Sequence, residues 1–332
     1  GMLLFPALPA SEAVAFGRGR YRITRTHLMM GTFAAITVIG PSRDEADDAI
    51  SLAFDEMKRA ERLFDRHRED SPIGTLNRDG RAVDLDPEVT ALLDRSLRLG
   101  KTTGGSFDIT VKPVVDLYQR SFETRQAPPS EERVAGVLDL VDAAAVRIQG
   151  RTVRLAKEGM GVTLDGIAKG YVIDCGMKVL KRRGIRHALI NAGGDICTVG
   201  GRDRSRPWRV AVQNPDKEGA ALQTFAMQDG AVATSGNYEV YFDKEKVYHH
   251  LINPHSARPA QESRSVTVLA ADATSADAFS TAVFVAGPKG GKRLMEVLSG
   301  TECLIVTARG AQVSSSRWPS ERGLFTPVNT SS

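Results

Sequence analysis

Cysteine is scarce in this chain of 332 residues, which contains three: Cys175, Cys197 and Cys303. Their number is odd, and neither a C-x-x-C pair nor a Cys–His spacing typical of zinc sites is present. These absences argue against a disulfide framework and against a zinc-stabilised fold. We therefore expect the three thiols to lie in the core as small hydrophobic side chains.

Long apolar runs and a strong net charge are also missing. No stretch approaches the roughly 18 apolar residues that a membrane-spanning helix needs. The net charge is +4, from 44 basic and 40 acidic residues. Since no basic stripe with interleaved aromatic residues occurs, nothing indicates nucleic-acid binding. The densest basic run, 178–187, is typical of a helix C-terminus, where cations interact favourably with the helix dipole.

Several common catalytic and nucleotide-binding motifs are absent. No G-x-G-x-x-G follows a strand, which excludes the usual dinucleotide fingerprint. Residues 287–293, "GPKGGKR", lack both the spacing and the hydroxyl residue of a phosphate-binding loop. Neither G-x-S-x-G nor H-E-x-x-H is present, so the corresponding hydrolase and metalloprotease classes are excluded.

Hydrophobic periodicity predicts alternating strands and a few long helices. A helix is expected from Ser42, whose side chain opens a capping box, and a second helix from Asp86-Pro87. Residues 146–155 alternate as a hairpin does. Further helices are expected within 163–184 and 274–287, and strands at 33–40, 187–201, 208–214, 231–236, 247–252, 265–271 and 302–308.

This order predicts an α+β fold with a largely antiparallel sheet in a single large domain. We place the domain at residues 21–308, after an N-terminal extension at 1–20. A C-terminal tail follows at 309–332; it is rich in Ser, Arg and Pro and is expected to be peripheral.

Asp277 and Thr281 are four residues apart on the helix predicted at 274–287. This spacing puts a carboxylate and a hydroxyl on one helix face, and two hard oxygen donors suit Mg²⁺. The alternative is structural: an acidic residue in the first turn, and a threonine that bonds back to a main-chain carbonyl. Spacing alone leaves both open.

His249 and His250 end a segment that alternates as a strand does. A histidine in that place can act as a general base or contact a phosphate. It can equally be packed or half-exposed with no chemical role.

Three glycine-containing turns, at 102–110, 163–170 and 191–196, join regular elements beside acidic or hydroxyl residues. Backbone N–H groups in such turns can form concavities that bind anions. One such turn is uninformative. Three such turns, together with a histidine and the possible metal ligands Asp277 and Thr281, make a site for a nucleotide pyrophosphate plausible.

Eight segments, in this order, resemble the FAD:protein FMN transferases, the ApbE-type flavin transferases. The segments are "MGTFAAITV" (30–38), "DSPIGTLN" (70–77), "GGSFDITVKPVVDLY" (104–118), "DGIAKGYVID" (165–174), "ALINAGGDI" (188–196), "ATSGNYEVYF" (233–242), "HHLINPHSARP" (249–259) and "SADAFSTAVFVAG" (275–287). The resemblance implies an ApbE-like, T-fold-related domain. It also implies Mg²⁺-dependent transfer of FMN from FAD to a threonine, or serine, hydroxyl of a target flavoprotein, with release of AMP.

The resemblance also assigns roles to individual residues. Asp277 and Thr281 match side-chain metal ligands, the Gly166 carbonyl matches a main-chain ligand, and His250 matches the catalytic histidine. Contacts to the flavin nucleotide are implied at Met30, His67, Ser106, Phe107, Asp108, Thr163, Lys169 and Ile252. Because the 191–196 turn follows the helix of the "TLDGIAKG" segment, we expect Gly193 and Gly194 to leave room near the nucleotide. Asp195 is expected to hold the turn or a neighbouring partner.

The chain departs from the family pattern at four places. His67 replaces a common tyrosine, and Thr163 replaces the first residue of "DLGG". The pattern H-x-I-D-P-R-T-G becomes residues 250–257 of this chain, and Ser280 stands where some members have a stronger oxygen ligand. These changes affect the contacts that are expected to bind the flavin. They leave Asp277, Thr281 and His250 intact.

Other functions are compatible with the same residues. A metal-dependent FAD pyrophosphatase would release FMN and AMP. A non-catalytic protein would only bind FAD. A scaffold protein would neither bind FAD nor catalyse a reaction. The family implies a periplasmic or exported protein, whose target can be membrane-associated. The apolar and small residues that follow Met2 resemble the end of an export signal and are compatible with a membrane-anchored precursor, although a cytoplasmic location stays open. The oligomeric state and the target protein are not indicated.

Overall fold

The structure is a computed structural model that describes residues 11–15, 19–203, 206–216, 221–238, 240–244, 247–321 and 323–327. The helices are α1 Arg43–Phe64, α2 Pro72–Asp79, α3 Pro87–Thr102, α4 Lys112–Arg125, α5 Glu131–Leu138, α6 Ala168–Arg182 and α7 Ala273–Val297. The strands are β1 Ser11–Ala15, β2 Tyr21–Met29, β3 Thr32–Gly40, β4 Arg81–Ala82, β5 Val146–Gln149, β6 Thr152–Leu155, β7 Ala188–Ala192, β8 Asp195–Val199, β9 Trp208–Val212, β10 Gln223–Met227, β11 Gly230–Gly236, β12 Ile252–Asn253, β13 Arg258–Pro259, β14 Ser263–Ala270, β15 Glu302–Thr307, β16 Gln312–Ser314 and β17 Leu324–Phe325.

Nine strands form one sheet in the order β1-β2-β3-β7-β8-β11-β14-β15-β16. Every neighbouring pair in it is antiparallel. Smaller sheets are formed by β4-β6-β5, by β12-β13 and by β17-β10-β9. The predicted α+β class with a largely antiparallel sheet is therefore confirmed.

The helix starts that were predicted from capping residues are correct. The Ser42 side chain accepts the Glu45 N–H before α1, and the Asp86 side chain accepts the Glu88 N–H before α3. The apolar face of α1, with Phe54 and Met57, packs with α6 and the sheet in one continuous core. Complete burial of each such side chain contributes about 1.5–3 kcal/mol.

Helices α6 and α7 cap each other's first turns. The Asp277 carboxylate on α7 accepts the Gly170 N–H at 2.9 Å. In return, the Asp174 carboxylate on α6 accepts the main-chain N–H groups of Ala273 and Thr274, each at 2.9 Å. Negative charge at a helix N-terminus is favourable, because it satisfies free N–H groups and complements the dipole. This reciprocal capping fixes the relative position of two helices that both border the cavity described below.

Gly170 is required at this crossing because no side chain fits there. A Cβ at this position would lie 2.2 Å from the Ala273 carbonyl oxygen and 2.9 Å from the Asp277 Cβ. We expect Gly170→Ala to lower the free energy of unfolding by about 2–3 kcal/mol, as overpacking of a rigid backbone contact does. The matched control is Gly136→Ala on the exposed face of α5, where a Cβ meets nothing within 4 Å. That change is expected to raise the free energy of unfolding by about 0.5–1 kcal/mol. Urea unfolding of both variants tests the pair, and equal effects would contradict the tight crossing.

Three parts of the sequence prediction are changed by the structure. The strand expected at 247–252 is wrong: His249 forms an isolated bridge with Tyr241, and a short strand begins only at Ile252. The helix expected to end at Gly287 does break there, with φ 72°, but helical structure resumes from Pro288 and continues to Val297. The tail beyond residue 309 adds β16 to the large sheet and β17 to a small one.

The N-terminal prediction is only partly covered by the described residues. Residues 11–15 form β1, which pairs with β2, whereas residues 1–10 and 16–18 lie outside the described part. The export signal therefore stays a prediction. Across the described ranges, no helix has both the length and the apolar composition needed to span a bilayer. The three cysteines are buried and free, as predicted.

Candidate functional site

A cavity of about 890 Å³ lies where the ends of several elements meet. Its wall is built from the β2–β3 turn, the α1–α2 loop, the 106–111 segment, the start of α6, the end of β11 and the first half of α7. The site residues expected from the sequence that line it are Met30, His67, Ser106, Phe107, Asp108, Thr163, Gly166, Lys169, His250, Ile252, Asp277 and Thr281. The fold thus brings together residues that are up to 251 positions apart (281 − 30).

Asp277 is a buried carboxylate in the wall of this cavity, with 5% of its surface exposed. Burial, followed by the nearby charge of Asp195, raises the pKa of the Asp277 carboxyl to about 7. Burying an ionised carboxylate is unfavourable unless a cation or hydrogen-bond donors compensate. Gly170 supplies one donor, so a cation at the cavity side would complete the compensation.

Thr281 and Gly166 are direct neighbours at the same place. A Cβ on Gly166 would lie 2.9 Å from the Thr281 Oγ1 atom, so the Gly166 main chain passes against that hydroxyl. The Ser235 Oγ atom lies 3.3 Å from Thr281 Oγ1. Ser280, the departure noted in the sequence, is fully buried and donates to the Asp277 carbonyl at 2.8 Å. Its hydroxyl is therefore engaged in helix packing, while Thr281 faces the cavity.

Lys169 and Asp195 form an ion pair beside the cavity, in which Asp195 is buried and Lys169 is partly exposed. The Lys169 Nζ atom is 2.9 Å from Asp195 Oδ2, and Asp195 Oδ1 accepts the Thr234 N–H at 3.1 Å. Lys169 lines the cavity, whereas Asp195 is not among its lining residues. Asp195 therefore contacts a cavity residue without lining the cavity itself, and its expected role, to hold the turn or a neighbouring partner, stays a prediction.

Gly193 and Gly194 form the two-residue turn between β7 and β8, with φ angles of 61° and 101°. A Cβ on Gly193 would lie 2.8 Å from the Thr32 Oγ1 atom. Neither glycine lines the cavity, so the structure gives no support to direct nucleotide contact at this turn. The space that Gly193 leaves is taken by Thr32 of the adjacent β2–β3 hairpin, whereas a Cβ on Gly194 would meet nothing within 4 Å.

That neighbouring hairpin carries Met30, which does line the cavity. Met30 has φ 52°, a left-handed conformation that is uncommon for a residue with a side chain. Its N–H donates to the Glu61 carboxylate on α1 at 2.5 Å. Glu61 thus fixes the β2–β3 turn. The 191–196 segment supports the same turn by packing against Thr32.

The two adjacent histidines have different surroundings. His249 is fully buried, and its Nε2 atom lies 2.8 Å from the Ala260 carbonyl. Burial and the charge of His250 lower the pKa of His249 to about 4, so it stays neutral at neutral pH. His250 lines the cavity, and its Nδ1 atom is 3.2 Å from the Val240 carbonyl. A neutral imidazole that donates its Nδ1–H to this carbonyl carries its basic lone pair on Nε2.

The 106–111 segment and the 163–167 loop are joined by a main-chain hydrogen bond, and a side-chain bond stabilises the first segment. The Thr163 N–H donates to the Ile109 carbonyl at 2.7 Å, and Asp108 Oδ1 accepts the Thr110 N–H at 2.7 Å. Burial raises the pKa of the Asp108 carboxyl. Phe107 is buried with its ring against Gly166. His67 and Ile252 complete this side of the cavity wall.

Sequence reasoning missed some lining residues, among them Glu61, Arg66, Asp165 and Ser235. Asp165 and Ser235 lie in segments that carry the family resemblance, whereas Glu61 and Arg66 lie in none of them. The position of all four depends on contacts between distant segments. They change the charge of the cavity. Among the described residues, its lining includes six carboxylates, on Glu61, Asp65, Asp108, Glu123, Asp165 and Asp277, and two permanent cations, on Arg66 and Lys169.

Comparison with known proteins gives one consistent family. Residues 30–305 match the ApbE family. The FAD:protein FMN transferase of Treponema pallidum (strain Nichols) is 30% identical over 312 residues, which is 87% of this chain and 86% of the relative. The FAD:protein FMN transferase of Escherichia coli (strain K12) is 29% identical over 294 residues, with 85% and 83% covered.

Solved structures agree with this assignment. The crystal structure of the ApbE protein from Thermotoga maritima superposes with a TM-score of 0.78 at 30% identity, covering 89% of this chain and 97% of that one. The flavin transferase ApbE from Vibrio cholerae gives 0.74 at 24% identity, covering 92% and 98%, and at that identity it supports the fold alone. Because the family match spans most of the chain and includes the cavity residues from Met30 to Thr281, the protein belongs to the ApbE family.

Proposed function

We propose that this protein transfers the FMN moiety of FAD to a threonine, or serine, hydroxyl of a target flavoprotein and releases AMP. One observation carries the proposal: Gly166, Asp277 and Thr281 line the same cavity as Lys169 and His250. Oxygen donors for a metal, a cation for a phosphate and a base for a hydroxyl are the groups that this reaction needs. The relatives named above are FAD:protein FMN transferases.

The cavity residues fit a divalent cation such as Mg²⁺. The described part of the lining has four more carboxylates than permanent cations (6 − 2), so a pyrophosphate entering alone would meet net negative charge there. The buried Asp277 carboxylate, the Thr281 hydroxyl and the Gly166 carbonyl are hard oxygen donors of the kind that Mg²⁺ prefers. Bound there, Mg²⁺ would supply electrostatic stabilisation of the pyrophosphate and of the charge that develops on departing AMP.

The protein's own residues would orient the reactants. Lys169 lies at the start of α6 and can hold a phosphate oxygen, since Asp195 keeps its ammonium group beside the cavity. His250 would accept the proton of the acceptor hydroxyl at Nε2 while the Val240 carbonyl holds Nδ1. The hydroxyl oxygen then forms a bond to the phosphorus of the FMN half, and the bond from that phosphorus to the oxygen of AMP breaks. The apolar parts of Met30 and Phe107 offer a surface for the isoalloxazine.

A single incubation tests this function. The purified protein is mixed with FAD, Mg²⁺ and a flavoprotein fragment that carries the acceptor hydroxyl, and covalent flavin fluorescence on the fragment is measured together with released AMP. We expect labelling that is lost in excess chelator and restored by Mg²⁺, because the acidic cavity needs the cation. Free FMN and AMP without labelling would indicate a pyrophosphatase instead. Unchanged FAD would indicate a protein that only binds it.

A further inference from the structure

Arg66 lies in the loop between α1 and α2 and lines the cavity. Its side chain is only 11% exposed, which is unusual for an arginine in a loop. It has no role in the proposal above, although it is one of two permanent cations that the described residues contribute to the cavity wall.

The guanidinium of Arg66 is held from two sides. Its Nε donates to Asp165 Oδ2 at 2.9 Å, and one of its terminal nitrogens lies 3.7 Å from Asp116 Oδ1 on α4. Asp116 is itself paired with Lys112. These contacts orient the guanidinium before any ligand binds, so little side-chain entropy would be lost on binding.

The loop that carries Arg66 is also fixed locally. The Asp65 carbonyl accepts the Ser71 hydroxyl at 2.6 Å, and Asp65 Oδ1 accepts the His67 N–H at 2.9 Å. The main chain at Arg66 is therefore set by bonds that do not involve its side chain. Replacement of the side chain should leave the loop in place.

Arg66 is close to the position proposed for the pyrophosphate. Its partner Asp165 directly precedes Gly166, which contacts Thr281. A guanidinium has five N–H donors, and the two carboxylates occupy only part of them. Its planar fork matches phosphate oxygens, with which it forms short charge-assisted hydrogen bonds.

We propose that Arg66 is a phosphate-recognition residue, which binds non-bridging oxygens of the pyrophosphate of FAD and so selects FAD over flavins that lack phosphate. This inference rests on the proposed function, because it takes FAD as the ligand. A purely structural ion pair between Arg66 and Asp165 is the alternative. If the ion pair is purely structural, replacing Arg66 should change the affinity for every flavin equally. If Arg66 recognises phosphate, the replacement should change the affinity for FAD alone.

The test is to measure the equilibrium binding of FAD and of riboflavin in the presence of Mg²⁺. The change in flavin fluorescence reports the binding. For Arg66→Ala we expect the Kd of FAD to rise at least about tenfold, the loss typical of a hydrogen bond between charged groups. The Kd of riboflavin should stay unchanged. Arg66→Lys should recover part of the FAD affinity through its charge.

The matched control is Arg68→Ala, in the same loop. Arg68 is exposed, pairs with Asp70 and does not line the cavity, so its removal should change neither Kd. Thermal unfolding of each variant reports whether the loop is intact. An equal loss of FAD and riboflavin affinity in Arg66→Ala, or an unchanged Kd for FAD, would overturn the inference. A wild-type protein that binds FAD but transfers no FMN would refute the proposed function and leave this inference standing.

Discussion

Replacing Asp277 with asparagine is expected to lower metal-dependent FMN transfer at least about a hundredfold, the range that a lost Lewis-acid contribution of several kcal/mol implies. Asparagine has the shape of aspartate but lacks the charge that would hold a divalent cation. The measurement is covalent flavin fluorescence on the acceptor fragment at saturating FAD and a series of Mg²⁺ concentrations.

The same variant should remain folded. The amide oxygen of the introduced asparagine can still accept the Gly170 N–H that Asp277 accepts now, and a buried negative charge near Asp195 disappears. We therefore expect a Tm at least equal to that of the wild type in chelator. Glu123→Gln is the control, because this exposed carboxylate also lines the cavity and accepts a hydrogen bond from the neutral side chain of Gln119. Full transfer by the Asp277→Asn variant would refute the proposed metal site.

Replacing His250 with alanine is expected to lower FMN transfer by about 10²- to 10⁴-fold, the usual contribution of a general base. The affinity for FAD should stay close to that of the wild type, because the proton transfer concerns the acceptor hydroxyl. Initial rates of labelling and the Kd of FAD, measured on the same preparation, separate the two quantities.

A second histidine provides the control for this variant. His255 lies exposed in the following turn, with its ring against Gly105, and does not line the cavity. His255→Ala should therefore keep the wild-type rate. If the His250 variant loses FAD binding and transfer in the same proportion, His250 is a nucleotide contact, and the role as a base is refuted.

Local signals in the sequence predicted much of the fold. Ser42 and Asp86 begin helices as expected, since a capping residue acts on N–H groups two or three positions away. The 247–252 segment shows the limit of such reasoning. His249 is buried as in a strand, yet its ring bonds the Ala260 carbonyl, and the main chain pairs with a neighbouring loop. An alternating pattern of apolar and polar residues indicates which side chains are buried. It does not indicate which segment the main chain pairs with.

The candidate site was predicted only in part, for a similar reason. Asp277 and Thr281 lie one helical turn apart, so spacing alone paired them. Arg66 and Asp165 are 99 residues apart and meet only because the α1–α2 loop folds over the start of α6. The 191–196 turn is expected near the nucleotide; the structure shows Gly193 against Thr32 of the neighbouring hairpin, and the expected role of the glycines stays a prediction.

The reciprocal capping of α6 and α7 bears on how the proposed metal site would be loaded. Asp277 is already fixed by the Gly170 N–H, and α7 is already fixed by Asp174. The chain can therefore complete its fold before any ion arrives, unlike small domains in which ligation and folding are one event. Under the proposed function, metal loading would be a late and reversible step on a folded protein, and its extent would follow the free Mg²⁺ concentration.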